Sequence, residues 1–348
     1  MGADRAMTMS IEVLSPGLYT TVQDLGRYGY QRHGVIVSGA MDTLAMRMAN
    51  MLVGNEPNAA VLELTVKGPV LLFHQDALLA VCGADMQPAI DGVRIHSNRP
   101  VWVKKGSTLK FAHAKKGCRA YLAIAGGWEV PLVMGSRSTN VRAGFGGAWG
   151  RTLREKDRLE PGKPSELALF FAEQLQAKSK ARNAGCGEMD WFVPQHVFPY
   201  QKDAVVRVMR GAEFGYFSEE SRRQFFATPY QLAAQSDRMG YRLEGPQLAL
   251  ESPLELISAA VSTGTIQVPP NGQPIILLAD RQTVGGYPKI GHVATVDLPI
   301  LAQLRPGDRV QFQEVSLRKA QQALYEQETE LQQIKLGIQI NAGWRQSK

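Results

Sequence analysis

The sequence predicts a mainly β protein built from two related β domains, with few helices. Three observations carry that expectation. Short apolar runs follow one another at the spacing of a barrel or sandwich, each closed by Gly, Pro, Asn or Asp. A faint internal repeat relates "LELTVKGPVLLF" to "YRLEGPQLALES", and each is followed by a basic-Gly turn into a strand, "VKKGSTLKF" and "LRPGDRVQF". The 348 residues also exceed a usual single domain.

The elements follow in chain order. Residues 1–10, "MGADRAMTMS", lack the apolar core of a signal peptide and are expected to be a disordered leader. Residues 11–165 are expected to form the first β domain. Its best helix is "MDTLAMRMANMLVGN", where Asp42 can cap the start, Gly54 can close the end, and Leu44, Met48 and Met51 or Leu52 recur on one face. The runs "VLLFH", "ALLAVCG", "PVWVKKGSTLKFAH" and "RAYLAIAGG" read as strands, and "LREKDRLEPGKPSE" reads as the closing strand. Residues 166–200 are polar and then Gly-rich, as in a linker. Residues 201–316 are expected to form the second β domain, with a short helix through "SEESRRQFFA". Residues 317–348 read as a helical tail, a surface or interface helix with Leu317, Ala320, Leu324, Leu331, Ile334 and Ile338 at mostly helical spacing.

Composition excludes several classes. The chain is 44% hydrophobic and 20% charged, which suits a soluble protein with a full core. Its longest apolar stretches fall far short of the roughly 20 residues of a membrane span. Three separate cysteines without a C-x-x-C fit a reduced cytoplasm and argue against a disulfide framework. The six histidines include no H-x-H or H-x-x-x-H pair, so no metal site is expected. The net charge of +7 is scattered without a nucleic-acid signature, which favours small anionic ligands or an acidic partner protein over nucleic acid.

Four stretches concentrate reactive side chains. In "YTTVQDLGRYGYQRHGVIVSGAMD", Gln23, Asp24 and Arg27 sit among glycines that permit close backbone approach to a ligand; a solvated loop with an Asp24–Arg27 contact is the alternative. "MGSRSTNVRAGFGGAWGR" surrounds a Gly-rich turn with three arginines, either an anion nest or an ordinary loop. In "SDRMGYRLEGP", Arg238 and Tyr241 flank the Gly240 turn, and Arg238 would share a face with Arg242 if the strand began early. The richest stretch is "VPPNGQPIILLADRQTVGGYPK", where an apolar run ends in Asp280, Arg281, Gln282 and Thr283, followed by Gly285, Gly286 and Lys289. That inventory suits holding a small anion and stabilising developing negative charge. Asp280 would accept a proton or orient the ligand, and Arg281 or Arg238 would clamp the anion. Thr283 and the Gly285–Gly286 amides would donate, and Lys289 would neutralise charge. Gln267 and Asn271 are expected nearby, with Arg238 approaching from the "RMGY" turn. A buried Asp–Arg structural pair is the alternative.

Together these stretches, with "GAMD", "LVGN" and "GTIQVPPNGQPIILLADRQTVGGYPKI", resemble the allophanate hydrolase subunit 2 family, also called the biotin-dependent carboxyltransferase family. The similarity runs roughly from Ile11 to Ser316. It implies two tandem cyclophilin-like β-barrel domains. It also implies a part in ATP-dependent 5-oxoprolinase, which opens 5-oxo-L-proline to L-glutamate, alongside subunits A and B, the latter KipI-like. The chain carries no nucleotide-binding signature, so ATP is expected to be shared with one of those partners. It has no Met-Lys dipeptide, so no biotin is expected on it. Two other roles stay open: the carboxyltransferase part of a urea-carboxylase-like biotin system, and a non-catalytic KipA-type antagonist of a kinase inhibitor.

Overall fold

The computed structural model describes residues 10–182, 184–198, 200–201, 203–341 and 343. Residues 1–9 of the expected leader lie outside them, whereas Ser10 is buried. The chain divides into two compact units. The first comprises the described residues of Met1–Gly26, Thr43–Phe198 and Glu330–Lys348; the second comprises those of Arg27–Asp42 and Pro199–Thr329.

Among the described residues, the first unit holds twelve strands in two sheets. They are β1 (Ile11–Ser15), β2 (Tyr19–Gln23), β3 (Val61–Thr65), β4 (Val70–Phe73), β5 (Ala77–Asp85) and β6 (Ala89–Ile90). Then follow β7 (Val93–Arg94), β8 (Val101–Val103), β9 (Thr108–Lys110), β10 (Lys116–Ile124), β11 (Arg158–Leu159) and β12 (Cys186–Glu188). One sheet has the order β11-β1-β4-β9-β6-β7 and the other β12-β8-β5-β10-β3-β2. Ile11, Leu71 and Leu109 of the first sheet share one core with Leu64, Leu79 and Leu122 of the second. "LREKDRLEPGKPSE" supplies strand β11, which pairs with β1, but it does not close the unit: β12, from the span read as a linker, follows it and pairs with β8.

Strands β5 and β10 are buried on both faces because the helix Thr43–Leu52 covers them. That helix is closed by Gly54, whose φ of 70° places it in the left-handed region where glycine is favoured. The span read as a linker carries a second helix, Glu166–Arg182, in the same unit. It buries Ala168, Phe171 and Leu175, and Phe171 meets Trp191 edge-on at 5.9 Å. Its apolar residues bunch at 167–171 rather than recurring every turn, which hid it from a periodicity reading.

The second unit closes fully. Its seven-stranded barrel runs β13 (Asp203–Arg210), β20 (Lys289–Val293), β17 (Thr265–Gln267), β18 (Ile275–Leu277), β15 (Gly240–Glu244), β14 (Tyr230–Leu232) and β21 (Arg309–Glu314). Strands β13 and β21 close it in parallel. A small ribbon pairs β16 (Ala259–Ala260) with β19 (Val284–Gly285). Val206, Val208, Tyr230, Ile266, Ile276 and Phe312 fill the barrel, and Phe225 from the helix Glu219–Ala227 stacks on Phe312 at 4.7 Å. That helix starts where the sequence places it, with Ser218 Oγ accepting from the Ser221 N–H. The tail helix spans Leu317–Asn341. No described helix is long and apolar enough to cross a membrane.

Candidate functional site

The apolar run of β18 continues through buried Leu278 and Ala279 before it reaches Asp280. The chain stays zipped to the turn before β15: Leu278 N–H donates to Met239 O and Asp280 N–H to Arg238 O, both at 2.9 Å. This brings together two side chains 42 positions apart. Arg238 Nε donates to Asp280 Oδ2 at 2.8 Å and Nη2 to Oδ1 at 3.1 Å, and Nη2 also reaches Gly39 O at 2.6 Å. Both side chains are buried, at 7% and 11% exposure. Two-point contact satisfies charge and geometry at once. Asp280 is therefore engaged by Arg238 in a buried Asp–Arg pair, the alternative that the sequence left open, rather than free to accept a proton.

Arg281, the next residue, is placed differently. It is 8% exposed, and it donates through Nη1 to Thr263 Oγ1 at 2.7 Å and through Nε to Val261 O at 3.3 Å. Among the described residues no carboxylate lies within ion-pair distance of it. Its burial pushes its pKa down, opposed by the nearby Tyr28 phenol. A buried cation held only by neutral acceptors favours an incoming anion. His292 lies in the same electrostatic field: burial, then the Arg281 charge, push its pKa below the ordinary histidine value. Its Nδ1 is 3.4 Å from Thr265 Oγ1.

Neutral amides flank this cation. Gln282 Nε2 donates to Gln267 Oε1 at 3.5 Å, and Gln267 Nε2 donates to Tyr287 O at 3.4 Å. These are long bonds that a better acceptor would displace. A Cβ at Gly285 would lie 2.5 Å from Gln267 Nε2, so glycine is what lets the amide sit there. Thr283 accepts from Val261 N–H through its backbone, and its hydroxyl makes no hydrogen bond among the described residues.

The other expected residues lie apart from this arrangement. Lys289 Nζ pairs with Glu213 Oε2 at 3.3 Å. Asn271 is exposed, holds its own turn by accepting from Gln273 N–H, and lines a groove of about 590 Å³ with Gly286. Tyr241 is buried in the barrel core. Arg238 and Arg242 do not share a face, because the strand begins at Gly240: Arg238 is buried and Arg242 is exposed. Of the early loop, Gln23 and Asp24 are buried within the first unit and Arg27 within the second. Asp24 Oδ1 accepts from Gly26 N–H and from the Ser136 and Ser138 hydroxyls, and Oδ2 accepts from Arg137 N–H at 2.6 Å. Gln23 Nε2 donates to Thr21 Oγ1 at 3.0 Å and to Thr139 O at 3.2 Å.

Sequence reading missed His292, Thr263 and Tyr28. A lone histidine in "KIGHV" is indistinguishable from an ordinary strand residue until the barrel sets it opposite Thr265.

Comparison with known proteins agrees with this architecture. The model of the carboxyltransferase domain, subdomain A and B, matches residues 33–314. The chain is 36% identical to the C subunit of 5-oxoprolinase from Escherichia coli (strain K12), over 93% of its own length and 97% of that protein's. It is 37% identical, over the same shares, to the 5-oxoprolinase C subunit of Haemophilus influenzae. Among solved structures, the K. lactis urea amidolyase matches with a TM-score of 0.81 and 34% identity, over 92% of this chain and only 19% of that one. The TTHA0988 crystal structure matches with a TM-score of 0.73 and 33% identity, over 88% of this chain and 55% of that one. Built from two mainly β units and matched across both of them, the chain belongs to the carboxyltransferase domain family, subdomains A and B.

Proposed function

We propose that the chain is the C subunit of an ATP-dependent 5-oxoprolinase. With subunits A and B it would convert 5-oxo-L-proline, ATP and water to L-glutamate, ADP and phosphate. The observation that carries this is Arg281, a buried guanidinium without a carboxylate, set beside loosely held amides. A compact ligand bearing a carboxylate and a cyclic amide satisfies both: the carboxylate neutralises Arg281, and the lactam replaces the long Gln267–Gln282 contacts. The lactam is unstrained and resonance-stabilised, so attack by water is slow; phosphorylating its oxygen makes it a good electrophile. Fixed donors then stabilise the charge that develops there. Arg238–Asp280 acts as the rigid floor that aims Arg281. ATP is shared with a partner, since this chain carries no nucleotide-binding signature. The assembly would work in the cytoplasm, where ATP is available and Cys82, Cys118 and Cys186 stay reduced thiols.

The decisive experiment assays glutamate release from 5-oxoproline and ATP by the purified chain, by itself and with subunits A and B. Activity is expected only from the assembly. Full activity from the isolated chain, or none from the assembly, would refute the proposal. A second reading is favoured by the likeness to the K. lactis urea carboxylase, with a TM-score of 0.79: carboxyl transfer from a biotin carried on another protein. Biotin- and bicarbonate-dependent carboxylation by the same assembly would select it.

A further inference from the structure

The barrel unit leaves one stretch of backbone unused. Between the groove and the ribbon, residues 253–257 make no hydrogen bond among the described residues, through either backbone or side chain. A segment with idle backbone N–H and C=O groups is a template for another strand. The stretch continues into β16, whose only strand partner among the described residues is β19, so that ribbon also keeps an open edge.

The surrounding side chains are unusually apolar for a surface. Ile257 is 95% exposed, Val284 52% and Tyr287 47%. The neighbouring groove, about 590 Å³, is walled by Pro253, Pro269, Pro270 and Pro288. Prolines donate no backbone hydrogen bond and hold a rigid apolar wall. Clustered exposed aliphatic and aromatic groups on a monomer mark an interaction surface. Glu255 is exposed and makes no ion pair among the described residues, so the edge favours a basic residue opposite it. The ribbon also carries Val284 and Gly285, directly after Gln282 and Thr283. An occupant of this edge would therefore sit beside the Arg281 site.

Resting on the assignment to the 5-oxoprolinase assembly above, we infer that residues 253–260 are the docking edge for an extended, apolar strand of a partner protein of that assembly. The strand adds to the edge by backbone pairing and seats side chains in the proline-walled groove. Main-chain bonds supply affinity and alternate side chains supply selectivity. Covering this edge also shields the adjacent site from water.

The test measures binding of purified subunits A and B to the full-length chain, with hydrogen exchange followed by mass spectrometry. Slowed exchange at residues 253–260 on adding the partner is expected. Ala260→Pro removes a backbone donor and Ile257→Asp charges the patch; each is expected to weaken binding by about tenfold or more, with the unfolding transition unchanged. If the wild-type chain binds partners but residues 253–260 exchange as in the free chain, the docking edge is overturned and the assignment to the assembly stands. If the wild-type chain binds neither protein, both fall. Protection that appears on concentrating the chain by itself would assign the edge to a second copy and overturn the inference. Should either variant unfold, the exchange result on the wild-type chain decides.

Discussion

Asp24 of the first unit and Asp280 of the second are buried carboxylates held by opposite means. In the first, Asp24 is solvated by neutral donors: two serine hydroxyls and the backbone N–H groups of Gly26 and Arg137. In the second, Asp280 meets a full opposite charge in Arg238. Neutral donors hold a carboxylate without bringing a second charge into the interior. An ion pair desolvates two charges and becomes very sensitive to loss of either. The first arrangement clips the end of β2 to the Ser136–Ser138 turn. The second commits one arginine to the fold and leaves its neighbour, Arg281, without a counter-charge. Under the proposed function, structural anchor and ligand clamp would be divided between Arg238 and Arg281.

The largest expected effect is at the anchor. Asp280→Ala leaves Arg238 buried without its counter-charge, and urea denaturation should show a loss of about 3–5 kcal/mol. If the loss is below about 1 kcal/mol, water reaches Arg238 and the pair is not the barrel's anchor.

The clamp should behave in the contrary way. Arg281→Gln is expected to lower kcat/KM of the assembled enzyme by about 10²–10³ while leaving stability unchanged or higher, because an uncompensated buried charge is gone. Equal losses of stability and activity would erase the distinction between the two arginines.

The neutral-donor arrangement should be more forgiving. Ser138→Ala removes one of several donors to Asp24 and should cost about 1–2 kcal/mol in chemical denaturation. A loss as large as that of Asp280→Ala would make the two carboxylates alike.

The smallest effect is electrostatic. Burial and the Arg281 charge hold the His292 pKa below the ordinary histidine value. A base with a depressed folded pKa stabilises fully above its unfolded pKa, and that contribution is lost as pH falls through the folded pKa. An NMR titration should show His292 protonating at higher pH in Arg281→Gln, with the part due to burial remaining. Identical titrations would separate His292 from the clamp.

Much of this was legible in the sequence, for local reasons. Apolar runs with turn residues marked the strands, Ser218 and Gly54 marked helix ends, and a strand ending in Asp280-Arg281-Gln282-Thr283 marked the candidate site. What was not legible depends on pairing across distance. Nothing near Asp280 says that its partner is Arg238 rather than Arg281, nor that Lys289 is taken by Glu213. The residues Arg27–Asp42 look like part of the first domain by position, yet they pack with the second, where Gly39 O receives Arg238. Only the closed barrel decides which of the two arginines is left without a carboxylate.

The parallel closure by β13 and β21 sets how late in synthesis the second unit can close. These strands pair although they lie roughly a hundred residues apart, and β21 also holds β14. The barrel therefore stays open on the ribosome until its last strand has emerged. Arg27–Asp42, synthesised before the rest of that unit, must wait for it. A chain that stalls before Arg309 leaves the rims of β13 and β14 bare, which makes the nascent second unit the aggregation-prone stage of biosynthesis.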